Sequence, residues 1–219
     1  TVTGVQTCAL PISVDFLFRA SIESVGASVQ LLPVDPSTGR IDLEALARLL
    51  SPRTRVLAVC NPHNPVGRVF GRDELTALGQ FAVDHDLQII DDGVWSDIVY
   101  APHRYIAMAS LGDPIAARTW SVHGFSKTFS LAGLRVGYVV APSPEHFSRL
   151  LDVSGAITTM TGTSTLSQVA ATAAYTRAWP WAESFVVYLR WLRDLALRRL
   201  ARFPRLDCRS PEGTYVLFP

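Results

Sequence analysis

Lysine occurs once in this 219-residue sequence, as Lys127, against 19 arginines. A GC-rich coding sequence accounts for the arginine excess without any function. Even so, side-chain amine chemistry has only one place to happen. Two other polar residues stand, like Lys127, just beyond an apolar run. Asn64 follows RVLAVC at 55–60, Asp92 follows LQII at 87–90, and Lys127 follows TWSV at 119–122. Ligands of open parallel sheets bind at the carboxyl ends of strands, which is where these three fall. An amine can condense with a carbonyl group, a carboxylate can hold a proton on a ring nitrogen, and an amide can donate to a ring oxygen. There is no GxGxxG and no glycine–lysine phosphate loop, so dinucleotide or nucleoside triphosphate binding has no support. His63, His85, His103, His123 and His146 show no metal-ligand spacing.

The elements that must position these residues follow from periodicity. Val29–Val34 reads as a strand, followed by a turn at 35–39. Asp42 can cap a short helix through Leu50. Arg55–Cys60 is almost continuously apolar, as a strand covered on both faces requires. Arg72–Asp84 is amphipathic, with Leu75, Leu78, Phe81 and Ala82 on one face. Further strands are expected at 87–90, 119–122 and 136–140. Strands alternating with helices predict an α/β fold with a mostly parallel sheet between helix layers. From Pro144 onward helices dominate, at about 144–153, 164–177 and 181–203, before a strand near Gly213.

Composition supports a folded domain. Hydrophobic residues make up 48% and charged residues 18%, below the usual ~25% charged. The net charge of +1 argues against a nucleic-acid partner held by basic surface. No apolar run reaches the ~18 residues of a membrane span. Cys8, Cys60 and Cys208 form no CxxC pair, which fits neither a disulfide framework nor a zinc site and makes a reducing cytoplasm the default.

An amine, a carboxylate and an amide at one sheet edge are the groups that pyridoxal 5'-phosphate (PLP) requires. The motifs make this specific. NPHNPVG at 61–67, DDGVW at 91–95 and GFSKTFSLAGLRVGY at 124–138 resemble the fold-type I PLP-dependent enzymes. Within them the sequence is most similar to the class I/II aminotransferases and the related cystathionine β-lyases. The resemblance runs from about Phe16 to Pro219. It implies a three-layer αβα large domain and the start of a small α+β C-terminal domain. It also implies that Lys127 is the Schiff-base lysine and the later proton carrier. Asn64 then donates to the PLP 3'-oxygen, with a cis peptide before Pro65, and Arg135 grips the phosphate. Of Asp91 and Asp92, alignment of SDIVY with the family favours Asp92 as the ring-nitrogen partner, 28 residues after Asn64. Trp95 falls where relatives place Tyr or His against the 3'-oxygen, and Trp carries only an N–H. Gly124 replaces a common phosphate-binding Ser. Arg68, Arg72 and Arg104 read as solvated surface, and Asp91 as a cap or turn residue.

The ends stand apart. Residues 2–12, VTGVQTCALPI, resemble the in-frame translation of a common sequencing adapter, so residues 1–13 are expected to be a sequencing artefact. The expected organisation is then 14–150 as part of the PLP-binding large domain and 151–219 as interdomain helices and a truncated small domain. The chain is read as an internal piece of a longer, homodimeric protein that acts on an amino acid and a keto acid; the piece alone is expected to be inactive. Three functions compete: an aminotransferase, a C–S β-lyase of cystathionine type, and the aminotransferase-like effector domain of a transcription regulator. The last demands a basic helix-turn-helix segment upstream.

Overall fold

The most apolar run of the sequence becomes the middle of a sheet. In the computed structural model, which describes residues 7–11, 16–32, 34–35, 38–158 and 161–219, β3 (Thr54–Cys60) has its last four residues buried. It lies between β1 (Thr7–Pro11) and β4 (Gln88–Asp92). With β2 (Ser28–Leu32), β5 (Thr119–Gly124) and β6 (Gly137–Val140), the strand order is β2-β1-β3-β4-β5-β6. All neighbours are parallel except β5 and β6. Those two are joined by residues 125–136, which contain a 3-10 turn at Ala132–Leu134 rather than a crossover helix, so β6 returns antiparallel.

β1 falls within the stretch expected to be artefactual, to which the periodicity assigns no element; the rest of that stretch, 1–6 and 12–13, lies outside the described residues. The chain leaves β1 for β2 on one side and returns to β3 on the other. That reversal of winding direction puts a switch point beside the C-terminal end of β3.

Helices connect the parallel strands: α1 (Phe16–Ser24), α2 (Leu43–Leu49), α3 (Arg72–Asp84) and the short α4 (Asp113–Ala116). The Asp42 carboxylate caps α2 by accepting from Glu44 and Ala45 N–H at 2.8 and 3.1 Å. α3 spans the residues its periodicity predicts, and Leu75, Leu78 and Ala82 enter the core with Leu46, Leu57, Val59, Phe70 and Ile89. Each fully buried Leu or Ile stabilises the fold by roughly 1.5–3 kcal/mol.

Three longer helices follow: α5 (Pro144–Ser154), α6 (Thr165–Arg177) and α7 (Trp179–Leu200). Ser143 and Ser164 cap α5 and α6. Among the described residues no helix is long and apolar enough to cross a membrane. The strand expected from Gly213 does not form. Gly213 makes one antiparallel bridge to Val99, and Thr214, with φ of +64°, takes the chain out of the extended region.

Arg68 is a second departure. It is buried, with its guanidinium bonded to both Glu74 oxygens at 3.0 and 2.5 Å and to the Gly39 carbonyl at 2.9 Å. A guanidinium fork matches a carboxylate in this way, so the residue is an internal brace. Arg72 and Arg104 are exposed, as expected.

Candidate active site

The loop that carries Asn64 is closed from both ends. Asn61 Oδ1 accepts the Phe70 N–H at 3.0 Å, and the Asn61 N–H donates to the Asp92 carbonyl at 3.0 Å. The Asn64–Pro65 bond is cis, as the resemblance implies, and so is Asn61–Pro62. Gly67, at φ +72°, accepts from Glu212 and Gly213 N–H through its carbonyl at 2.7 and 2.9 Å. The loop is thereby tied to the segment after α7.

Asp92 is the last residue of β4, and its in-register neighbours are Cys60 on β3 and Val122 on β5. Its Oδ1 accepts the Val94 N–H at 3.1 Å. Cys60 is a neighbour of Asp92 that sequence reasoning missed, although strand register could have shown it; it is buried, and its thiol donates to the Pro62 carbonyl at 3.4 Å. Burial first, and the Asp92 carboxylate second, push the Cys60 thiol well above its ordinary range, while the Asn64 backbone N–H opposes them. The thiol therefore remains protonated at neutral pH. The Asp92 carboxylate and the Asn64 backbone N–H thus both act on one neutral, buried sulfur.

Lys127 lies in the turn after β5. Thr128 Oγ1 donates to Asp97 Oδ2 at 2.9 Å, and the buried Phe125 and Phe129 pack with Val136, Ala174 and Ala182 of the segments around β6, α6 and α7. These contacts hold the turn from both sides. Lys127 Nζ sits 4.8 Å from the centroid of the Trp95 ring. Trp95 is 4% exposed and packs with Cys60, Ile98, Tyr100 and Leu189; the edge-to-face ring of Tyr215 is 4.6 Å away. The structure therefore brings Lys127 onto Trp95 and sets Asp92 beside Cys60, with Asn64 in the loop that follows Cys60, all at the C-terminal ends of neighbouring strands.

Arg135 is different. It is exposed, adopts the left-handed conformation at φ +51°, and its guanidinium makes no hydrogen bond or ion pair among the described residues. Gly124 is not forced by crowding: a Cβ there would meet its nearest atoms at 3.8 Å, an ordinary contact.

Asp91 points away from this group, because consecutive strand residues face opposite sides. It is fully buried; its Oδ2 accepts the Met108 N–H at 3.0 Å and the Tyr105 hydroxyl at 3.3 Å. Burial raises it to about 6 against the pull of those bonds and of His123. It caps a 3-10 turn at Met108–Ser110 from within a strand.

The donor set fits PLP. An amine rests on an aromatic face, a carboxylate with a backbone N–H on one oxygen closes β4, Asn64 lies in the loop after β3, and the exposed guanidinium of Arg135 lies before β6. Among the described residues no cluster of three metal-ligating side chains occurs.

The fold is α/β, and the one lysine of this sequence lies in the turn after β5. The chain belongs to the aminotransferase class I and II family, whose model matches residues 17–219. It is 27% identical over 199 residues to the aspartate aminotransferase of Geobacillus stearothermophilus, covering 89% of this chain and 49% of that protein. It is 30% identical over 183 residues to the cystathionine beta-lyase PatB of Bacillus subtilis (strain 168), covering 81% and 46%. A PLP-bound structure from Clostridium difficile 630, assigned as an aminotransferase, superposes with a TM-score of 0.91 at 32% identity, over 99% of this chain and 57% of that one. The fold is that of these PLP-dependent enzymes, and the chain spans about half the length of the curated relatives it matches.

Proposed function

We propose that this chain supplies the PLP-binding part of a cytoplasmic, homodimeric aminotransferase acting on an amino acid and a keto acid. The observation that carries the reading is the placement of the one lysine, with its Nζ 4.8 Å from the Trp95 ring centroid, at the sheet edge that also presents Asp92 and Asn64. Residues 14–150 would belong to the large domain, and 151–219 would lead into a small one.

Lys127 is the proposed catalytic residue. Its amine would hold the cofactor and carry the proton at the substrate α-carbon. PLP, when bound, supplies an electron sink for the carbon that loses that proton. Asp92 would keep the ring nitrogen protonated by placing a negative charge beside it. Asn64 would donate to the ring oxygen. Trp95 offers the amine a face where relatives place Tyr or His, and so would orient Lys127 rather than bond that oxygen. Arg135 would hold the phosphate, which its exposed guanidinium suits.

A second reading has one specific observation behind it: the likeness to the Bacillus subtilis cystathionine beta-lyase, 30% identical over 183 residues. Both reactions begin with the same proton removal. An assay separates them on the complete reading frame that contains the chain, supplied with PLP. Amino-group transfer that requires a keto acid acceptor supports the aminotransferase. Pyruvate release from cystathionine with no acceptor present overturns it in favour of the lyase.

A further inference from the structure

The proposed mechanism uses Asp92 and leaves unused the group behind it. Asp91 Oδ1 is buried with no partner among the described residues. Tyr105, whose hydroxyl donates to the other oxygen, also meets the ring of His123 edge-on at 6.2 Å. His123 belongs to β5, where Ser121, two residues earlier, is the in-register partner of Asp91; the two residues share that face. The His123 ring stacks on Tyr138 of β6, with centroids 5.2 Å apart and planes at 21°.

The imidazole also holds backbone. Nδ1 lies 3.2 Å from the Gly93 carbonyl oxygen. A carbonyl only accepts, so Nδ1 carries the proton. Gly93 directly follows Asp92, and its own N–H donates to the Val122 carbonyl at 2.9 Å. The contact has no slack: a Cβ on Gly93 would lie 2.5 Å from His123 Cε1 and 2.8 Å from both Nδ1 and Tyr105 Oη. Four residues beyond His123 the chain reaches Lys127. One ring therefore joins the strand end that presents Asp92 to the strand that leads into the lysine turn.

We infer that His123 is a positioning residue, whose hydrogen bond to the Gly93 carbonyl fixes Asp92 relative to Lys127. This rests on the roles proposed above for those two residues. A ring that merely packs would behave differently, and two substitutions separate the cases. His123→Phe keeps the stack on Tyr138 and loses the donor. His123→Asn loses the stack and keeps a donor near the place of Nδ1.

The test is carried out on the full reading frame loaded with PLP, reading cofactor dissociation from its absorbance band and fold stability from urea unfolding of the cofactor-free protein. His123→Phe should weaken PLP binding about tenfold, the scale of one lost hydrogen bond, and His123→Asn should restore most of that loss. In an Asp92→Asn background the effect of His123→Phe should shrink, because the two changes act through one contact. Should His123→Phe not fold, Gly93→Ala carries the same expectation, since its methyl group pushes the ring off the carbonyl. Equal weakening with and without Asp92, or tighter PLP binding by His123→Phe than by His123→Asn, overturns the positioning role and leaves the functional reading intact. No Lys127-dependent cofactor band in the unaltered protein overturns both.

Discussion

Lys127 Nζ stands 4.8 Å from the centroid of the Trp95 ring, and that ring is 4% exposed. A cation over an aromatic face contributes about 0.5–2 kcal/mol, depending on desolvation. The larger effect of Trp95 is its volume in the cluster with Cys60, Ile98, Tyr100 and Leu189. Trp95→Ala should destabilise the fold by about 3–5 kcal/mol, while Trp95→Phe, which keeps an aromatic face, should cost much less. Urea unfolding midpoints check this; equal midpoints for the two variants would contradict it.

Arg68 and Glu74 form a largely buried pair, their side chains 10% and 23% exposed. Removing one partner leaves the other charge uncompensated, at a cost on the order of 3 kcal/mol. Arg68→Ala should therefore be strongly destabilising, and adding Glu74→Ala should cost far less than Glu74→Ala alone. A double-mutant cycle measures the coupling. Additive losses would show that the pair contributes nothing as a pair.

Asp91 carries a stability signature of its own. Its carboxyl rises from 3.8 to about 6 on folding, because burial disfavours the charge. Between about pH 4 and 6 the folded chain then binds more protons here than the unfolded chain. Stability contributed by this group falls as pH rises through that window, by about 3 kcal/mol in all. His63, lowered to about 4 by burial and by Arg68, acts in the opposite sense: the folded chain binds fewer protons there, so stability falls as pH drops from 6.5 toward 4. Comparison with Asp91→Asn isolates the first effect. The advantage of the asparagine variant should grow from pH 4 to pH 7 in urea unfolding; a constant difference would contradict the assignment.

Helix capping provides a smaller test. Asp42→Ala removes two acceptor contacts to the first turn of α2 and should cost about 1 kcal/mol. Asp42→Asn should retain most of the stability.

Much of this architecture is legible in the sequence because local and global preferences agree. The bounds of α3 follow from one apolar stripe, and β3 from an apolar run too short for a helix. Lys127 stands out because no other lysine competes. What was not legible depends on neighbours distant in the chain. TCALP at 7–11 lacks β-branched alternation, and only pairing with both β2 and β3 makes it a strand. The segment after Gly213 has strand-like residues but pairs at a single bridge. Arg68 resembles any surface arginine until Glu74 and the Gly39 carbonyl close around it. Asp91 resembles a turn residue until Met108 and Tyr105, both from the stretch before α4, reach its carboxyl group. The contact between Trp95 and Lys127 joins two loops 32 residues apart, which no spacing rule brings together.

The most direct test asks which side chain holds the cofactor. The complete protein is incubated with PLP, reduced with borohydride, digested and mapped by mass spectrometry. One pyridoxyl-labelled side chain, Lys127, is expected, with loss of both label and cofactor absorbance in Lys127→Ala. A protein that acquires no label at Lys127, or a Lys127→Ala variant that keeps the absorbance band unchanged, would contradict it.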